Sequence, residues 1–143
     1  MEKIVYLKNI NEIEKYIEFD SFLIESIFSS CYQNIFLLDD IHKLVKFAHN
    51  VNKKVYLRAD KILIEKEIML LKKNKDILNM VDGVFFEDFA FVDFFKENNI
   101  KTELIYFPYD AIGDKEDISA IMSMGIDKIC LPSLKEELIL KTN

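Results

Sequence analysis

The sequence predicts an α/β fold: an incomplete TIM-like (β/α) barrel of about six parallel strand–helix units, in a single domain spanning residues 1–143. Three observations point there. Short apolar runs recur six times, at Lys3–Leu7, Ser21–Ser26, Lys54–Asp60, Gly83–Asp88, Glu103–Pro108 and Asp127–Pro132. Amphipathic segments separate them, and successive parallel strands need such crossovers. Six units fall short of the eight that close a barrel of this type, so Lys3–Leu7 and Asp127–Pro132 become candidate sheet edges. Exposed edges invite pairing with other chains. They are expected to be covered by the C-terminal tail, by a second copy of the chain or by a partner chain.

In chain order, Lys3–Leu7 leads to a helix opening at Asn9, where Asn9 and Glu12 resemble a capping box and Ile10, Ile13 and Ile17 share a face. Asp20 precedes the second strand. The stretch from Ile27 to Leu38 is ambiguous, and an alternative makes Ile17–Ser30 helical with a strand at Asn34–Leu38. From Asp40, residues Ile41, Leu44, Val45 and Ala48 mark one apolar stripe of a helix. Ile64, Ile68 and Leu71 mark the next, ending near Met80. Gly83–Asp88 is almost continuously apolar, as a strand covered on both faces should be. Phe91, Phe94 and Phe95 line a helix that stops at Asn98-Asn99. Asp114 caps a helix carrying Ile118, Ile121 and Met122, which Gly125 terminates. Ser133 and Glu136 form a second capping box, opening a last short helix.

Composition narrows the function. Half the residues are apolar, with 12 Phe, and only three Gly and two Pro leave no linker-like tract. The net charge of −6 and the scattered Lys and Arg argue against duplex nucleic acid as a partner. The apolar stretch after Lys3 ends at Lys8, unlike a secretory signal, and no run approaches the length of a membrane span. Cys31 and Cys130 make no disulfide framework, so the expected location is cytoplasmic, away from any membrane.

Several stretches carry a family resemblance. Asp40-Ile-His-Lys-Leu-Val-Lys-Phe-Ala-His-Asn-Val-Asn-Lys-Lys-Val-Tyr-Leu57, Val81-Asp-Gly-Val-Phe-Phe-Glu-Asp88 and Met124-Gly-Ile-Asp-Lys-Ile-Cys-Leu131 with Leu134 and Glu137 resemble the N-terminal barrel half of the collagenase-like bacterial peptidases, peptidase family U-thirty-two. Asp20–Ser26 and Phe28-Ser29 also match in place. The resemblance implies a (β/α) barrel and a peptidase-like or RNA-modifying ancestry. Its motifs are mainly scaffold positions. The ends of strands one, three, five and six depart from the family pattern, reading Tyr6-Leu7-Lys8-Asn9, Ala59-Asp60, Tyr106-Phe107-Pro108 and Pro132-Ser133. The cysteine cluster of longer relatives, associated with an iron–sulfur centre, is not expected within these residues. A weaker resemblance, through Ile35-Phe-Leu-Leu38 and the Asp-Gly strand, is to the glycerol-3-phosphate-responsive antiterminators.

Barrel enzymes work at the C-terminal ends of their strands, where Glu25, Arg58, Asp60, Glu87, Asp88 and Asp110 are expected. Asp60, Arg58 and Glu87 are the candidate catalytic set, since carboxylates near one Arg can form an acid/base pair. Asp60, Glu87 and Glu25 are the candidate ligands of a divalent metal, the one cofactor these oxygens would suit. An ion pair that merely neutralises the rim is the plainer alternative. Asp88 is better read as a helix cap and Asp110 as a turn residue. His42 and His49 belong to the outer face of a helix, Cys130 to the core, and Ser29-Ser30 lacks a nucleophile-elbow pattern. Three functions follow: a non-catalytic binding or assembly module, a hydrolase or RNA-modifying enzyme using the strand-end carboxylates, or a regulator responsive to a small phosphate ligand.

Overall fold

A computed structural model describes residues 2–30, 33–107, 115–132 and 138–142. Its elements run β1 (Ile4–Tyr6), two 3-10 turns (Ile10–Glu12 and Glu14–Tyr16), β2 (Ser21–Ile24), α1 (Leu38–Asn50), β3 (Lys54–Ala59), α2 (Glu65–Lys73), α3 (Lys75–Met80), β4 (Gly83–Phe86), α4 (Ala90–Glu97), β5 (Glu103–Tyr106), α5 (Lys115–Met122), β6 (Lys128–Pro132) and β7 (Leu138–Thr142). Strands β1 to β6 pair in sequence order, each parallel to the next. This is the incomplete TIM-like barrel that strand–helix alternation predicts.

β7 closes the ring. It runs antiparallel to β6 over five residue pairs, Lys128↔Thr142 to Pro132↔Leu138, and meets β1 at Ile4↔Leu138. The two anticipated edges are therefore covered by the chain itself. The helix cap Asp114 and the capping box at Ser133–Glu136, where the last short helix would open, lie outside the described residues; residues 138–142, for which no strand was expected, form β7.

The first crossover differs from the expected α-helix. Ile10 and Tyr16 pack against the core that holds buried Ile13, whereas Ile17 is 43% exposed. Spacing of three residues suits the 3.0-residue turn of a 3-10 helix. The Asn9 side chain accepts from the Asn11 N–H at 3.0 Å, and Glu12 accepts from the Lys8 N–H at 3.4 Å, so the polar N-terminal signal is real although the helix is not α. The ambiguous stretch resolves in favour of the strand at Ser21–Ile24. Ile35 still makes one parallel bridge with Glu25. The long helix expected over 64–80 breaks at Asn74, whose amide donates to the Leu70 carbonyl at 2.9 Å. Such local side-chain bonds compete with helix propagation. Asn52 and Asn99 follow α1 and α4 with φ of 58°. Asn tolerates this left-handed conformation better than most residues.

Strand alternation sorts side chains into two cores. The outward residues, among them Phe22, Ile24, Val55, Leu57, Val84, Phe86, Leu104 and Ile129, join the helices in one large cluster. The inward residues form a second, with one member from each parallel strand: Ile4, Leu23, Tyr56, Phe85, Ile105 and Cys130. Gly83 belongs to this inward phase because Tyr56 fills the space beside it: a Cβ there would stand 2.7 Å from the Tyr56 ring.

At the N-terminal rim one device recurs three times. Asp20, Asp82 and Asp127 each precede an even-numbered strand and accept from a backbone N–H in, or one residue before, the preceding strand. The partners are Lys3 at 2.7 Å, Val55 at 2.8 Å and Leu104 at 2.8 Å. Glu2 adds a polar floor, accepting from the Ser21 hydroxyl at 2.7 Å and the Tyr56 hydroxyl at 2.5 Å. Burial and this carboxylate hold the Tyr56 phenol above its ordinary range, so it stays a donor.

Candidate functional site

Two residues beyond the inward layer, the same alternation delivers polar groups to the C-terminal rim. Glu25 follows β2, Arg58 lies in β3 with Asp60 just after it, Glu87 follows β4, and Phe107 follows β5. Three of these side chains meet. Arg58 Nη1 lies 3.1 Å from Glu25 Oε1, and Arg58 Nη2 lies 3.2 Å from Asp60 Oδ2. Glu25 is 1% exposed, while about a third of the Arg58 side chain (32%) reaches solvent. The Phe107 ring centroid stands 5.8 Å from the guanidinium carbon and 6.0 Å from the Phe85 ring.

The segment after β2 supplies the scaffold for this cluster. Ser30 binds Asp60 twice, its N–H to Oδ1 and its hydroxyl to Oδ2, both at 2.6 Å. The Ser29 hydroxyl donates to the Arg58 carbonyl at 2.9 Å and accepts from the Ser26 N–H at 3.0 Å. The Ser26 hydroxyl in turn accepts from the Phe28 N–H at 3.1 Å. These serines carry no nucleophile pattern, and sequence reasoning gave them no role. The signal was there: three Ser in the five residues 26–30, without helical periodicity, beside a strand end.

The electrostatics follow from the packing. Burial alone would lower the Arg58 pKa, but the carboxylates of Glu25 and Asp60 outweigh it and raise it above the ordinary value. Glu87 also titrates above its ordinary range, because of burial and the Asp60 charge, with Arg58 opposing. Arg58, Asp60 and Glu25 are thus brought into contact, and Glu87 joins through its field. Asp88 stands apart. It accepts from the Ala90 N–H at 3.0 Å and the Leu63 N–H at 2.8 Å, tying the start of α4 to the loop before α2. Asp110 and Cys31 lie outside the described residues.

Among the described residues, no three His, Cys, Asp or Glu side chains gather closely enough to hold a metal ion. The guanidinium of Arg58 stands between Glu25 and Asp60, where a cation would have to bridge them. Cys130 is fully buried in the inward layer, and burial pushes its thiol up to about 12, far from thiolate chemistry at neutral pH. His49 lies on the outside, 2.9 Å from Asp82. His42 is exposed on the same helix.

Among curated proteins, none matches this sequence. A family model described as Peptidase family U32 matches residues 7–139. That span runs from the residue after β1 into β7 and takes in every residue of the strand-end cluster. On that match, the chain belongs to peptidase family U32.

Proposed function

We propose that this chain is a non-catalytic binding module of peptidase family U32, which receives a small ligand at its C-terminal rim. The observation that carries this reading is how fully the carboxylates are engaged. Asp60 has both oxygens occupied, by Ser30 and by Arg58, and Glu25 spends Oε1 on Arg58. A base or nucleophile needs a lone pair directed at substrate. The second oxygen of Glu25 is unpartnered but buried out of a substrate's reach. Among the described rim carboxylates Glu87 alone retains that freedom, and one carboxyl is half of an acid/base pair. Assembly through sheet edges has less support, because β7 hydrogen-bonds to both β6 and β1. A phosphate ligand also has less support, since three carboxylates around one guanidinium repel an anion. No helix among the described residues is long and apolar enough to cross a membrane. We infer a cytoplasmic site of action from the lack of a disulfide framework in the sequence.

A second reading, a hydrolase working through Asp60, Arg58 and Glu87, draws on the raised pKa of Glu87, a property of general acids. The two part in one experiment. The purified chain and a Glu87→Gln variant are incubated with gelatin and with fluorogenic peptides. Both are expected to match the protein-free blank. Turnover by the wild-type chain that disappears in Glu87→Gln would replace the binding module with the hydrolase.

A further inference from the structure

We propose that residues 61–73, the loop after β3 together with α2, form a latched lid that swings on Asn74 and is coupled to the strand-end cluster. The lid goes beyond the binding-module reading and does not depend on what the rim binds. Helices α1 and α4 each bury four residues: Ile41, Leu44, Val45 and Ala48 in one, Phe91, Val92, Phe94 and Phe95 in the other. α2 buries Leu71 alone. In the same segment Ile62, Ile64 and Met69 stand 74%, 58% and 53% exposed. A groove of about 490 Å³ runs along the helix, lined by Lys66, Met69, Leu70 and Lys73 among others. On the buried side, Leu71 meets Phe28, Leu63 and Phe91 around a cleft with no room for water. A segment with so few buried apolar contacts opens at a small free-energy cost, and lids are drawn from such segments.

The two ends of the segment have different jobs. At the far end, Asn74 interrupts the helical run, and α3 restarts at Lys75 with Ile77 and Leu78 buried. Asn74 is therefore a pivot between a seated helix and a loosely held one. At the near end two polar contacts hold the lid down. Lys61 Nζ donates to the Ile27 carbonyl at 3.0 Å, and the Leu63 N–H donates to Asp88 Oδ2 at 2.8 Å. The Lys61–Glu67 pair, 3.6 Å apart, lies within the lid and travels with it. Opening breaks the two latches and parts Leu63 and Leu71 from Phe28 and Phe91, which uncovers an apolar face beside the rim. The Lys61 latch also reaches the cluster. Ile27 belongs to the turn whose Ser29 binds the Arg58 carbonyl and whose Ser30 binds Asp60, and Asp60 is where the lid leaves β3. The seated lid and the ordered cluster thus stabilise each other, and the coupling is the same read from either side.

The test is amide hydrogen exchange of the whole chain, followed helix by helix in the wild type, Lys61→Met and Ser30→Ala. Lys61→Met keeps the apolar stem and removes the ammonium that reaches Ile27. In the wild type the amides of α2 should exchange at least about 100-fold faster than those of α1 and α4. Lys61→Met should speed α2 roughly tenfold more, the loss of one charge-assisted contact, and leave α1 and α4 as they were. Ser30→Ala, outside the lid, should still speed α2 about threefold through the cluster. Equal protection of α2, α1 and α4 in the wild type overturns the lid. So does a Lys61→Met effect spread evenly over the three helices, or none on α2. An α2 rate that Ser30→Ala leaves unchanged overturns the coupling. None of these readouts measures binding or turnover. The lid can therefore fail while the binding module stands, and Glu87-dependent hydrolysis would remove the module whatever α2 does.

Discussion

Glu87 and Arg58 both titrate above their ordinary values, with opposite consequences for their charge. The Glu87 carboxyl titrates above its ordinary value of 4.5 in the folded chain. The folded state therefore holds that proton more tightly than the unfolded state does. The resulting stability is present below the unfolded pKa and is lost as the pH rises through the folded one. Glu87→Gln removes this loss, so thermal denaturation should give a higher Tm than wild type at about pH 7, with the difference closing toward about pH 4. Arg58 behaves otherwise, because it neutralises a carboxylate that water does not reach. Arg58→Leu leaves Glu25 buried and uncompensated and should cost roughly 3 kcal/mol in a urea titration. The double variant Glu25→Met with Arg58→Leu should recover most of that, since an apolar pair of similar size avoids the desolvation cost. These residues were legible as a strand-end group because alternation alone predicts where every second side chain goes. Their pairing was not, because it depends on Ser26, Ser29 and Ser30, which act through a loop with no period to read.

Among the elements, the parallel strands and the helices α1, α4 and α5 were readable because each carries an unbroken apolar pattern of its own period. The misreadings occurred where two patterns overlap. Residues 10–17 fit both a 3.0 and a 3.6 repeat, and the packing of Tyr16 in place of Ile17 decided it. Residues 138–142 were not read as a strand, yet a seam between two strands selected an extended chain. The rim aspartates Asp20, Asp82 and Asp127 were each visible before a strand, but their shared job appears only once the neighbouring strand is in place. Asp82 has the most to lose. It accepts from the Val55 N–H and from His49 Nε2 and docks β4 on β3 and α1. Asp82→Ala should destabilise by about 1–3 kcal/mol, because the Val55 donor is left without its acceptor. Urea unfolding followed by circular dichroism checks this, and His49→Ala should cost less because that side chain is exposed.

At the scale of the whole molecule, the expectation of two open edges was correct for six strands and was met by the seventh. Truncation after residue 137 removes β7 and uncovers the backbone of β1 and β6. Sedimentation should then show concentration-dependent association, with the full chain remaining a monomer under the same conditions. Association of the full chain to the same degree would mean that some other surface drives it.

The seam is also lopsided: β7 holds β6 along its whole length and β1 by a single residue pair. Separation of the cylinder should start at that weak join and spread from it, in the manner of a sub-global opening. Deuterium should therefore enter the amides of β1 well before those of β3 and β4, whose ladders are intact on both flanks.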